Sequence, residues 1–275
     1  YKQILSEKLR IEPERIQYRY GDSDLVTQGI GTFGSRSAML GGSAIVVAAE
    51  RLVERGRKIA AHMMEAAASD VVFEGGAFAI AGTDRKVALN DVVRRAFDSA
   101  AIPKELEAGF SERADFGPPN AATFPSGAHV CEVEIDTDTG KAELVRYAAV
   151  DDVGRMLNPL LCEGQIHGGI AQGIGQALLE DMIYDAETGQ CLTGSFQDYA
   201  MPRADDLCDF TLGNNCSPTP RNPLGVKGVG EAGTIGALPA VANAVNDALL
   251  QAGAGTIEMP ATSEKLWRAL QAAKR

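Results

Sequence analysis

One acid stands alone among glycines. The stretch GVGEAGTIG, residues 228–236, places Glu231 beside Gly230 among small apolar neighbours. A carboxylate flanked by Val229, Ala232 and Ile235 is expected to be poorly solvated. Desolvation raises a carboxylate pKa, which suits a general base working near neutral pH. The glycines leave room for a substrate or cofactor beside it. Two plainer readings stay open: Glu231 caps the following helix, or it pairs with Lys227. Gly228, Gly230 and Gly233 spell GxGxxG, but Pro218, Pro220 and Pro223 spoil the strand a dinucleotide fingerprint requires before it. Lys227 is followed by Gly228 rather than Ser or Thr, so the stretch is not a P-loop.

Two further segments are dense in glycine. In GIGTFGSRSAMLGG, residues 29–42, Gly29, Gly31 and Gly34 again match GxGxxG. They do not follow directly on a strand, and the residue 20 past Gly34 is Glu54, inside a helix. A broader reading survives. Ser35 and Ser37 precede a long helix whose first N–H groups lack partners and carry partial positive charge, which suits a phosphate. Arg36 adds a fork of donors. Plain capping by serine is the equal alternative. The third segment, EGQIHGGIAQGIGQALL, holds Gly164, Gly168, Gly169, Gly173 and Gly175 in one helix. Each costs about 1 kcal/mol against alanine. The sum matters against a domain stability of about 5–15 kcal/mol, so something must approach that backbone closely. Gly168, Gln172 and Gly175 share a face, with Gln165 further back. Tight helix packing explains this; the glutamines favour a polar, ring-shaped ligand. His167 reads as an interior histidine.

The elements that must position these residues mix helices and strands without a steady βαβ rhythm. A helix opens the chain, with Ile4, Leu5 and Leu9 on one face. RIQYRYGD reads as a strand. A long helix spans Ala38 to about Ser69, with Ile45, Ala48, Leu52, Gly56, Ile59 and Met63 as its apolar stripe. A hairpin turns at Gly75-Gly76, and a short helix is capped by Asn90. SERADFGPPNAATFPSG reads as a linker. A long hairpin follows, turning at DTDTGK. Asn158 caps a helix with Pro159 at its first position, running to about Glu180. MIYDAETGQCLTGSF reads as another hairpin. After a Pro/Gly-rich loop come a helix from Pro239 to Gln251, ended by Gly253, and a last helix from Thr262. The expected fold is α+β, helices packed on mixed sheets, in two subdomains: residues 1–122 and 123–275.

Composition bounds the function. The 275 residues are 45% hydrophobic, enough for a real core, with a net charge of -11. That charge argues against a nucleic-acid surface and against docking on anionic membranes. No apolar run reaches the roughly 18 residues of a spanning helix, and no basic n-region followed by an apolar h-region opens the chain, so a cytoplasmic compartment is expected. Five scattered cysteines read as reduced thiols, and three scattered histidines form no zinc set.

GSRSAMLGG, AVDDVGRMLNPLLCEGQIHGGIAQGIGQAL, GSFQDYAMPRADD and NPLGVKGVGEAGTIGALPAVANAVNDAL, in that order, resemble the molybdenum hydroxylases. These are the large subunits of xanthine dehydrogenase, aldehyde oxidoreductase and aerobic carbon monoxide dehydrogenase; the likeness is greatest to the carbon monoxide dehydrogenase-like branch and covers essentially the whole chain. The resemblance implies oxidative hydroxylation with water-derived oxygen at a molybdenum centre, Glu231 acting as base. It implies a molybdopterin, as the cytosine dinucleotide, whose dithiolene rather than protein holds the metal. Gln172 matches a cofactor-contacting glutamine; Gly34, Ser35, Arg36 and Ser37 match the loop that cradles the phosphates. Asn158, Gln165, Lys227 and Gly230 fall near the cofactor. Family members assemble with an iron–sulfur (2Fe-2S) subunit and an FAD subunit, as dimers of heterotrimers. The family's substrate-pocket loop and first molybdenum half-domain lie upstream of the residues matched here, so the chain resembles the C-terminal part of a large subunit, expected to be inactive alone. A non-catalytic cofactor-binding or assembly module is the alternative.

Overall fold

The computed structural model describes residues 1–26, 29, 31–117 and 122–274. Residues 27, 28 and 30 of the glycine-rich loop and 118–121 of the expected linker lie outside the described residues. The chain divides into two compact units, Tyr1–Ala121 with Arg221–Leu224, and Ala122–Pro220 with Gly225–Arg275. The fold is α+β: helices on two small sheets.

The first unit holds helices α1 (Lys2–Leu9), α2 (Ser37–Met63) and α3 (Leu89–Ala96), and strands β1 (Val71–Glu74), β2 (Ala77–Ile80) and β3 (Lys86–Ala88). The strands form an antiparallel sheet in chain order. Gly75 and Gly76 turn β1 into β2 with φ of 57° and 80°, the paired left-handed values a type I′ hairpin requires. Ile59, Phe78, Val71 and Val92 fill the core. The buried stripe of α2 runs through Val46, Ala49, Gly56 and Ile59. Its first half is thus turned one residue from the expected Ile45–Ala48–Leu52 line. RIQYRYGD forms no strand among the described residues. Tyr18 and Tyr20 instead stack at 4.9 Å, because an alternating segment without a ladder partner has nothing to fix its pleat. Asn90 lies inside α3, and Ala88 takes the cap position without a side-chain bond.

The second unit carries strands β4 (Ser126–Ile135), β5 (Ala142–Asp152) and β6 (Phe210–Asn214), and helices α4 (Pro159–Leu178), α5 (Ala232–Gln251) and α6 (Ser263–Ala273). β4 and β5 pair antiparallel and β6 adds parallel to β5. β6 was not foreseen: its five residues FTLGN show little alternation of apolar and polar types. MIYDAETGQCLTGSF turns back on itself as a short hairpin: Tyr184 bridges Cys191, and the N–H groups of Leu192 and Asp185 donate to the carbonyls of Ile183 and Gln190, both at 2.8 Å. Tyr147, Ile170, Ile174, Val241, Val245, Leu249 and Leu266 are fully buried between the helices and the sheet. All five cysteines are unpaired. No helix among the described residues is long and apolar enough to cross a membrane.

The helix expected from Pro239 begins seven residues earlier, at Ala232. GVGEAGTIG is therefore no loose loop; its second half is the first turn of α5. Pro239 sits inside the helix, where the bond it removes is to the carbonyl of Ile235. Ile235 is 68% exposed and Pro239 is exposed as well, so the missing bond falls on the open face of α5, where a helix tolerates it.

Candidate cofactor site

The glycines of α4 and α5 have a geometric cause. An ideal Cβ on Gly169 would lie 3.0 Å from the Gly233 Cα, and one on Gly173 would lie 2.6 Å from the Ala237 Cβ. Gly169 and Gly173 are one helical turn and a fraction apart, as are Gly233 and Ala237, so two small-residue ridges cross face to face. The expected close approach to the α4 backbone is thus α5 at Gly169 and Gly173. At Gly175 it is Glu180 and Pro202. Gly164 and Gly168 are different: an added Cβ there would meet nothing within 4 Å. Along that side α4 offers bare backbone, flanked by the exposed amides of Gln165 and Gln172. A groove of about 410 Å³ runs beside Gly168. His167, expected inside, is exposed there; its Nδ1 lies 2.9 Å from the Glu163 carbonyl and its ring stacks on Phe210.

Gln172 is tied to α5. The Thr234 hydroxyl lies 2.9 Å from the Gly169 carbonyl and 3.2 Å from the Gln172 Oε1 position. A hydroxyl has one proton. With it given to Gly169, Gln172 satisfies Thr234 by donating from its amide nitrogen, the flipped orientation.

Glu231 precedes α5 at the N-cap position, where a negative charge is favoured by the helix dipole. Its side chain makes no capping bond, and Lys227 pairs elsewhere. The plain capping reading of this acid is therefore not seen. The dry pocket is not seen either: Glu231 is exposed. Helical spacing gives the reason. Gly233, Ala237, Val241, Val245 and Leu249 form the buried stripe of α5, whereas Glu231, Ile235 and Pro239 form an exposed one. The apolar Ile235 shares the acid's open face rather than covering it. Glu231 lies about 60° around the helix from Thr234, on the flank where Gln172 meets α5.

Lys227 is committed to Asp152, Nζ to Oδ2 at 2.5 Å, with side chains 13% and 15% exposed. Asp152 Oδ1 also accepts from the backbone N–H of Gly154 and of Ser217, both at 2.9 Å. One carboxylate thus ties together the segments at Gly154, Ser217 and Lys227, the last of them four residues before Glu231. Burial alone pushes Asp152 up, but the Lys227 hydrogen bond and the two backbone donors together hold it below the usual carboxylate range. A carboxylate depressed in the folded state contributes stability that is complete above its unfolded pKa of about 3.9 and is lost as pH falls through the lower folded value. Asp152→Asn is therefore expected to cost on the order of 1–3 kcal/mol at pH 7. The deficit should shrink as pH is lowered from 5 to 3, read as converging thermal midpoints of variant and parent.

Asn158 caps α4, its Oδ1 accepting from the Leu161 N–H at 3.2 Å. In the first unit, Gly34 and Ser35 take left-handed φ of 59° and 50°, the Arg36 guanidinium lies 3.6 Å over the Phe33 ring, and α2 starts without a side-chain cap. Serine capping is not what the sequence GSRS does here. Ser37 Oγ meets Thr32 Oγ1 at 2.9 Å, and the Ser37 carbonyl accepts from the Tyr1 hydroxyl at 2.9 Å.

Sequence reasoning missed a buried polar chain beneath α5. The His129 Nδ1 lies 2.7 Å from the Tyr147 hydroxyl, and its Nε2 lies 3.4 Å from Asp151 Oδ1. Burial, with Cys131 and Asp151 adding to it, pushes the Tyr147 phenol up, so it stays protonated and donates. The signal was the hairpin register, which sets His129 opposite Ala149 and Gly127 opposite Asp151.

The open side of α4 presents groups that a polar cofactor could use: bare backbone at Gly164 and Gly168, the exposed amides of Gln165 and Gln172, which both donate and accept, and an acid at the adjoining helix start. Among the described residues no three His, Cys, Asp or Glu side chains converge to hold a metal. Residues 1–208 match the molybdopterin cofactor-binding domain, and the chain belongs to that family. It is 37% identical over 272 residues to the carbon monoxide dehydrogenase large chain of Hydrogenophaga pseudoflava, covering 98% of this chain and 33% of that protein. It is 38% identical over 271 residues to the nicotine 6-hydroxylase large subunit of Paenarthrobacter nicotinovorans, covering 97% and 33%. The crystal structure of Cu,Mo-CO dehydrogenase in its carbon monoxide reduced state superposes with a TM-score of 0.91 at 35% identity, over 99% of this chain and 34% of that one. The chain thus spans about a third of the length of the relatives it matches.

Proposed function

We propose that this chain is the C-terminal, molybdopterin-binding part of the large subunit of a molybdenum hydroxylase, and that Glu231 is its catalytic base. The observation that carries this reading is the meeting of Gln172, Thr234 and the Glu231 flank of α5 at a helix crossing, beside α4 backbone left bare at Gly168. Gln165 and Gln172 would hold the pterin through their amides. The Gly34–Ser37 loop at the start of α2 would take the phosphates of a cytosine dinucleotide form. Asn158 and the Asp152–Lys227 clamp would set α4 and the Gly230 loop in place. The cofactor, when bound, supplies two-electron redox chemistry and activates the oxygen to be transferred. Glu231 accepts the proton at its carboxylate, and segments outside this chain supply the water exclusion that its exposure calls for.

The reading carries with it an iron–sulfur subunit and an FAD subunit as electron acceptors, a dimer of heterotrimers, and a cytoplasmic setting. Two relatives named for carbon monoxide and for nicotine match the same residues at similar identity, which favours locating substrate choice outside this chain. The purified 275-residue chain should hold clearly less than one molybdenum per chain by metal analysis, whereas co-production with the rest of the large subunit should bring it to stoichiometry. Stoichiometric metal in the chain alone would refute the claim that cofactor retention needs the remainder.

A further inference from the structure

Glu231 is exposed, yet the segment around it is fastened from beneath at both ends. Four residues before it, Lys227 is pinned to Asp152. Five residues after it, Gly236 rests on the His129 ring: an ideal Cβ there would lie 2.5 Å from three ring atoms. His129 bonds Asp151, and Asp151 precedes Asp152 on β5, so both fastenings converge on one strand end. We propose that Tyr147, His129 and Asp151 are positioning residues, a buried hydrogen-bonded strut that holds the first two turns of α5 and so aims Glu231. This rests on the catalytic role proposed for Glu231.

The strut is not the cheapest way to fill its space. The side chains of His129 and Asp151 are 4% and 5% exposed, and Asp151 Oδ2 is buried without a hydrogen-bond partner among the described residues. A buried carboxylate with an unmatched oxygen is less stable than well-packed apolar residues of the same volume. What it supplies instead is direction. With the Tyr147 phenol donating to Nδ1, the imidazole carries its proton on Nε2 and donates it to Asp151. That fixes the ring plane, and the ring plane fixes the height of Gly236. An aliphatic side chain fills volume but sets no plane.

The test compares His129→Leu, which fills space and donates nothing, with His129→Gln, whose amide can still donate to Asp151, and with Tyr147→Phe, which loses only the hydroxyl. Hydrogen exchange of residues 231–237 is followed in the full-length cofactor-loaded enzyme, together with kcat, KM and molybdenum content. His129→Leu should exchange this segment about ten- to a hundredfold faster, as expected for loss of the two buried hydrogen bonds to Tyr147 and Asp151. Its kcat should fall with KM and metal content held, Tyr147→Phe should show a smaller change in the same direction, and His129→Gln should recover most of the loss. Exchange in His129→Leu indistinguishable from the parent would overturn the proposal, as would His129→Leu matching His129→Gln in both exchange and kcat. Failure of the catalytic reading looks different: Glu231→Gln would then turn over normally, while the exchange pattern still decides the strut.

Discussion

Gly233→Ala is expected to lower the thermal midpoint by about 2–12 °C, whereas Gly168→Ala, on the neighbouring helix, should raise it slightly. An ideal Cβ at Gly233 lies 2.8 Å from the Ile170 nitrogen and 3.0 Å from the Gly169 Cα. Both are backbone atoms of α4 and cannot rotate aside, so the two helices must part. Overpacking of this kind costs about 1–3 kcal/mol, and roughly 2–4 °C accompany each kcal/mol in a chain near this size. At Gly168 an added Cβ meets nothing, and alanine gains up to about 1 kcal/mol of helix propensity. Melting curves of the two variants check the assignment: Gly233 as a packing glycine and Gly168 as an open one. In the full-length enzyme the proposed function adds an inverse expectation for Gly168→Ala. A methyl on the open face should lower molybdenum content even as the protein becomes more stable.

Glu231→Gln should cut kcat of the full-length enzyme by about 10²–10⁴-fold, the usual contribution of a positioned general base. That equals about 2.7–5.4 kcal/mol of activation free energy. The substitution is isosteric and the site is exposed, so stability should fall by no more than about 1 kcal/mol, the usual worth of a negative charge at a helix start. Cofactor content should hold, because the acid's neighbours, Thr234 and Gln172, keep their contacts. Turnover unchanged with cofactor bound would leave only the alternative of a binding or assembly module.

Local signals read well in this chain, and signals that need a partner did not. Asn158-Pro159 marks the start of α4 from chemistry within four residues. Gly75-Gly76 likewise dictates its own hairpin. The ridge Gly169–Gly173 announced a close approach, but its partner Gly233–Ala237 was hidden by Pro239, which reads as a helix start and is instead a mid-helix residue on the open face of α5. The solvation of Glu231 was misjudged for the same reason. Val229, Ala232 and Ile235 are adjacent in sequence, but a helix fans them around its axis, and only the helix phase tells which of them shares the acid's side. The pairing of Asp152 with Lys227 and of His129 with Asp151 depends on strand register. The long hairpin fixes that register, yet composition alone does not reveal which polar side chains it turns inward.

The catalytic role of Glu231 requires that the acid at the start of α5 face the metal. The most direct measurement is an anomalous-difference map at the molybdenum edge from crystals of the full-length, cofactor-loaded enzyme. One peak is expected on the open side of α4 near Gly168 and Gln172, with a Glu231 carboxylate oxygen about 2.6–3.2 Å from a non-protein ligand of the metal. A peak well away from that helix crossing, with Glu231 still turned to bulk water, would contradict it.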